Sequence, residues 1–156
     1  NRLMHPSYEV QREYMARIHG EVDEAMIKRL TEGVVLEDGV ASFKSVKAQH
    51  ARSSDDAGGR NRWFKVILAE GRTREVRRLW ESQEVEVNCL IRISYGPIEL
   101  PSIVRLSDFL ELDPKQVVSL FKAVALNPPR FSEKHVLKDM RERKERKLRA
   151  RGNTWK

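Results

Sequence analysis

Two stretches of this chain place apolar side chains at every second position. In residues 8–18, Tyr8, Val10, Arg12, Tyr14, Ala16 and Ile18 fall on one side, with Glu9, Gln11, Glu13, Met15 and Arg17 on the other. Residues 87–95 alternate in the same way, and residues 63–68 form a dense run of β-formers. Period two is the spacing of side chains across a strand, so these segments are committed to a sheet with one enclosed face. Helix signals lie between them. Asp23 suits the N-cap of a helix running to Leu30, which Gly33 ends. Thr73 can cap a helix over 74–82, where Val76, Leu79 and Trp80 share a face. Asp113, Pro114 and Gln116 form an N-cap, N1 and N3 set that predicts a helix to about Val124. Residues 34–36 and 40–46 read as two strands joined by a turn at Glu37-Asp38-Gly39, and QHARSSDDAGGRN reads as a mobile loop. Strand pairs mixed with short helices predict an α+β domain with a mixed, largely antiparallel sheet.

Charge divides the chain in two. Residues 130–156 carry 11 Lys/Arg and 4 Asp/Glu, whereas residues 1–129 hold 19 of each sign, so the whole net charge of +7 belongs to the last segment. Asn127-Pro-Pro-Arg130 is the one convincing linker. It separates a domain over 1–126 from a basic C-terminal helix or tail over 127–156, in which Ser132 caps a charged helix with a thin apolar row of Val136, Leu137 and Met140. Such a tail grips a polyanion, most often nucleic acid; the bland alternative is a solvated terminal helix. No apolar stretch approaches the ~18–20 residues of a membrane span, so no membrane partner is expected. The one cysteine, Cys89, excludes an internal disulfide, which makes the cytoplasm the default compartment. The chain opens on Asn1 rather than Met and reads as a fragment or a processed chain.

Motifs for nucleotide phosphates, zinc or redox chemistry are absent. The histidines (His5, His19, His50, His135) are too far apart to be read as a metal set and are expected on the surface or in loops. What stands out is a cationic cluster of Arg60, Arg62, Lys65, Arg72, Arg74, Arg77 and Arg78, opposed only by Glu70 and Glu75. It spans a strand, a glycine turn and the first turns of a helix, where guanidinium forks and backbone amides suit phosphate oxygens. On a helical wheel Arg74 and Arg78 lie opposite the Val76/Trp80 face, and Arg77 lies at its border. An arginine there is either held by a buried carboxylate or by substrate, or it snorkels from an ordinary amphipathic helix.

NRLMHPSYEVQREY, EGRTREVRRLWES and LIRISYGPIELP, in that order, resemble three consecutive signatures of the RNA pseudouridine synthases that act on bacterial ribosomal RNA. The similarity is greatest to the RsuA-related branch and, within it, to enzymes of the large subunit. It runs from Asn1 to about Leu112. The resemblance implies a pseudouridine-synthase-like fold, ribosomal RNA as partner, and isomerisation of a flipped-out uridine with no metal or cofactor. It implies that Tyr14 packs beneath the target base and moves a proton, although a core tyrosine with a satisfied hydroxyl is the plainer reading. Arg77 matches the basic residue that pairs with the nucleophilic aspartate, with Arg74-Glu75 standing where His-Gln is usual. Arg60, Arg62, Arg72, Arg74, Arg78 and Arg92 are the candidate RNA contacts, and the leucine and isoleucine of LIRISYGPIEL would wall the pocket. The aspartate itself belongs to a GRLDxxTxGLLLxTxDG segment upstream of the NRLMHP block. That segment is not in these 156 residues, so the chain is expected to be most of a catalytic domain and inactive alone. A monomer is expected, or an association with the missing N-terminal part of the same enzyme. The competing expectation is a non-catalytic RNA-binding or ribosome-associated module.

Overall fold

A computed structural model of the protein describes residues 1–49, 61–101, 104 and 109–131. The interior of the predicted loop and the predicted helix after Ser132 lie outside the described residues. After a short 3-10 turn at Pro6–Tyr8, the elements in chain order are β1 (Arg12–His19), α1 (Glu24–Glu32), β2 (Val34–Leu36), β3 (Gly39–Ala41), β4 (Ser45–Gln49), β5 (Asn61–Leu68), α2 (Glu75–Glu81), β6 (Glu86–Tyr95), β7 (Ile98–Glu99) and α3 (Pro114–Ala123). Five strands form one sheet in the order β4-β5-β1-β6-β7, while β2 and β3 make a separate hairpin. Every pairing among the described strands is antiparallel.

The alternation in β1 does what period two requires. Arg12, Ala16 and Ile18 are buried and Tyr14 is half-buried on the enclosed side. The predicted strand over 40–46 is instead divided. β3 ends at Ala41, Phe43 donates its N–H to Leu30 O (2.9 Å), and Lys44 donates to Ile67 O (2.8 Å) before β4 joins the main sheet. Each half keeps period two, which cannot register a change of sheet between them. Helix α1 has the expected Asp23 cap, whose carboxylate accepts from Met26 N. Gly33 closes it at φ +121°, where a Cβ would come 3.0 Å from the Val40 side chain. Helix α3 carries the full capping box of Asp113 and Gln116.

Trp80 of α2 is the centre of the core, with Phe43 and Phe64 at centroid distances of 5.8 and 5.3 Å. All three rings are essentially inaccessible to solvent. Truncating such a ring to alanine typically costs about 3–5 kcal/mol, so this trio fixes α2 on the sheet. The β1–β6 ladder shifts register twice, between Glu13 and Tyr14 and between Arg17 and Ile18. Asn88 and Ile93 have no partner in β1, and the shifts bring Val87, Leu90, Arg92 and Tyr95 opposite Ile18, Ala16, Tyr14 and Arg12. Bulges of this kind re-aim side chains. Strict alternation would have put Arg92 on the face opposite Tyr95.

Candidate active site

At the end of the sheet that carries Tyr14, the enclosed face and the N-terminal turn of α2 border a cleft of about 420 Å³. Arg12 and Tyr14 of β1, Leu68 of β5, and Leu90, Arg92 and Tyr95 of β6 supply the sheet side. Gly71, Arg72, Arg74, Glu75 and Val76 supply the opposite wall, and Met4 joins from the N-terminal segment. Residues from three strands and one helix entry thus meet because the two β6 bulges keep its face in phase with β1.

The Tyr14 hydroxyl accepts two hydrogen bonds from Arg92, from Nη2 at 2.8 Å and Nε at 3.2 Å. The Arg92 guanidinium also lies over two rings, 5.2 Å from the Tyr14 centroid and 5.4 Å from that of Tyr95. Arg12, buried behind them, donates to Val10 O (3.0 Å), and at longer range to Leu3 O, Ala69 O and the Tyr95 hydroxyl. The Tyr95 hydroxyl in turn donates to Leu3 O at 2.7 Å. Arg12 therefore ties the N-terminal segment, β6 and the chain after β5 into one corner. Gly71 makes that possible, since a Cβ there would stand 2.9 Å from the Arg12 guanidinium carbon.

The entry to α2 departs from the expected cap. Arg74, not Thr73, is the N-cap, with φ 53° and ψ 24° and no side-chain cap bond. The helix begins at Glu75, which is buried, and its carboxylate accepts the Arg72 N–H at 3.0 Å while its own N–H donates to Arg72 O. Burial pushes the Glu75 carboxyl above its ordinary value, and the hydrogen bond from the Arg72 backbone only partly offsets this.

The arginines separate by what holds them. Arg72 donates Nε to Glu70 (2.7 Å) and its Nη groups to Asp38 O and Val40 O, which fastens the β2–β3 hairpin beside α2. Arg78 makes a two-pronged pair with the Asp38 carboxylate, at 2.8 and 2.9 Å. This partnership holds the Asp38 carboxyl below the usual range and raises Arg78. Arg62 donates to Val22 O and lies over the Phe64 ring. Arg74 is exposed, with a contact of 3.8 Å to Glu81. Arg60 lies outside the described residues. The cleft therefore offers an aromatic ring with an anchored hydroxyl, cationic walls and one buried carboxyl. That combination can stack a planar base, move a proton and hold phosphate at its rim.

Known proteins are similar to this sequence. A ribosomal large subunit pseudouridine synthase B from Escherichia coli (strain K12) is 46% identical over 149 residues, covering 96% of this chain and 49% of the relative. The protein of that name from Pseudomonas aeruginosa is 47% identical over 128 residues, covering 82% of this chain and 32% of the relative. This chain is a pseudouridine synthase homologue. It spans about half the length of the Escherichia coli relative. A solved pseudouridylate synthase structure has the same fold, with a TM-score of 0.50 at 20% identity over 64% of this chain and 40% of that one. No family model matches.

Against the homology, the placement of the expected residues is uneven. Tyr14, Arg72, Arg74 and Arg92 border one cleft. Arg77 does not. It is half-buried and donates Nη1 to the Val87 carbonyl of β6, and the guanidinium that meets Tyr14 is that of Arg92. The reason is the helical rotation of about 100° per residue: with Val76, Leu79 and Trp80 buried, Glu75 and Val76 border the cleft and Arg77 turns to β6. Arg62 and Arg78 are likewise outside the cleft and occupied by protein partners. Arg12, Gly71 and Glu75 were not anticipated as cleft residues. A buried cation within the β1 alternation was the available signal for Arg12. Nothing in the local sequence marks Gly71 as the seat of a guanidinium.

Proposed function

We propose that this chain is the larger part of the catalytic domain of an enzyme that isomerises a specific uridine of large-subunit ribosomal RNA to pseudouridine. The carrying observation is that Tyr14, which we take to lie beneath the target base, opens onto a cleft with cationic walls formed by Arg72, Arg74 and Arg92. In the proposed reaction the bond from ribose to the ring nitrogen breaks and a bond from ribose to the fifth ring carbon forms. That carbon loses its proton, the nitrogen gains one, and no cofactor or metal is consumed. Tyr14 stacks on the base and moves the proton; Arg72 and Arg74 at the rim hold the flanking phosphates. Arg77 is proposed to meet the nucleophilic aspartate only after leaving the Val87 carbonyl, and the enzyme works as a cytoplasmic monomer.

Tritium release from ribosomal RNA labelled at the fifth carbon of uridine tests this directly. The full-length protein should release tritium from large-subunit RNA and not from small-subunit RNA. A polypeptide of these 156 residues alone should stay at background, because the GRLD-type segment is not among them. RNA binding by the full-length protein without tritium release would instead identify a binding module.

A further inference from the structure

We infer that Arg92 is a positioning residue for the Tyr14 hydroxyl and not a phosphate contact. The inference rests on the proposed role of Tyr14 and adds a second residue to it. A phenol oxygen carries one hydrogen and two acceptor sites. Two N–H groups of Arg92 converge on that oxygen, at 2.8 and 3.2 Å, so the remaining hydrogen is directed away from the arginine and into the cleft. A guanidinium at this distance also stabilises negative charge that develops on the oxygen as the proton leaves. The backbone is built for the contact. The register shift that leaves Ile93 unpaired sets Arg92 opposite Tyr14. The guanidinium also lies over both the Tyr14 and Tyr95 rings, and reaching for a phosphate would give up these contacts along with both hydrogen bonds.

A double-mutant cycle in the full-length protein separates the two roles. Single-turnover tritium release and RNA affinity at several salt concentrations are measured for wild type, Arg92→Gln, Tyr14→Phe and the double variant. Arg92→Gln should slow release roughly 10–100-fold in the wild-type background, the loss expected for charge-assisted hydrogen bonds. It should change the rate less than about twofold once Tyr14 is Phe, because residues acting through one group are not additive. The slope of log affinity against log salt should not change. Arg92→Lys, which keeps the charge on a single donor nitrogen, should recover part of the rate. Equal slowing in both backgrounds, or a slope that falls by about 0.7–0.9, overturns the inference and makes Arg92 a phosphate contact while leaving the proposed reaction intact. If Tyr14→Phe itself releases tritium at the wild-type rate, both the role of Tyr14 and this inference fail. Should Tyr14→Phe fall below detection, the salt slope and the lysine variant decide.

Discussion

Arg74 stands at φ 53°, ψ 24°, on the wall of the cleft and with a side chain 63% exposed. A left-handed conformation costs a residue with a Cβ about 1–2 kcal/mol, and strain of this kind is commonly retained where a side chain has work to do. Replacing it with glycine removes that cost and adds about 0.5–1 kcal/mol of chain entropy on unfolding. Arg74→Gly should therefore be as stable as wild type or up to about 1.5 kcal/mol more so, while its RNA-binding salt slope falls by about 0.7–0.9. Thermal melts and affinity at graded salt check both parts; a less stable variant with unchanged binding would contradict them. Glu75 beside it makes a pH prediction. Burial raises its carboxyl above the ordinary 4.5, so the folded state binds the proton more tightly than the unfolded one. The stability it allows is fully present below 4.5 and is lost as pH rises through the folded value. Glu75→Gln keeps an oxygen for the Arg72 N–H and should raise the melting temperature at pH 7, with the gain vanishing at acid pH. Arg74 was legible in the sequence as a candidate RNA contact, whereas Glu75 was not legible as part of the site. The motif match identified the exchange of His-Gln for Arg-Glu, but a left-handed cap and a desolvated carboxyl are consequences of where the chain turns after Gly71.

At the scale of elements, period two located β1, β5 and β6, and the cap residues located α1 and α3, because these signals are local. What local pattern could not give was phase. Residues 87–95 look like one alternating strand, but the bulges at Asn88 and Ile93 turn Arg92 onto the face of Tyr14. The same limit applies to residues 40–46, which contribute to two sheets. The β2–β3 hairpin is held to α2 by Asp38, through its carboxylate on Arg78 and its carbonyl on Arg72. Because this pair is exposed, Asp38→Ala should lower the melting temperature only slightly, and high salt should erase the difference. It should also tighten RNA binding at low salt, since it removes one negative charge and releases the Arg78 guanidinium. Unchanged affinity at low salt would place Arg78 away from RNA altogether.

For the whole molecule, the Escherichia coli relative matches 96% of the chain at 46% identity, and the cleft is lined, Leu68 apart, by residues of the three sequence blocks that carry the resemblance. The charge pattern points the same way: the first 129 residues are neutral in sum, yet four arginines border one cleft, so the cationic site arises from folding and not from composition. Tyr14 lines that cleft, and Arg77 lies outside it on the Val87 carbonyl. The measurement that tests the account most directly is therefore Tyr14→Phe in the full-length protein, comparing single-turnover tritium release with RNA affinity. The ring is kept and the proton-carrying oxygen is lost, so release should fall roughly 10²–10⁴-fold, the usual contribution of a positioned acid–base group, while affinity stays within about threefold. A variant that releases tritium at the wild-type rate would make Tyr14 a packing residue and would contradict the account.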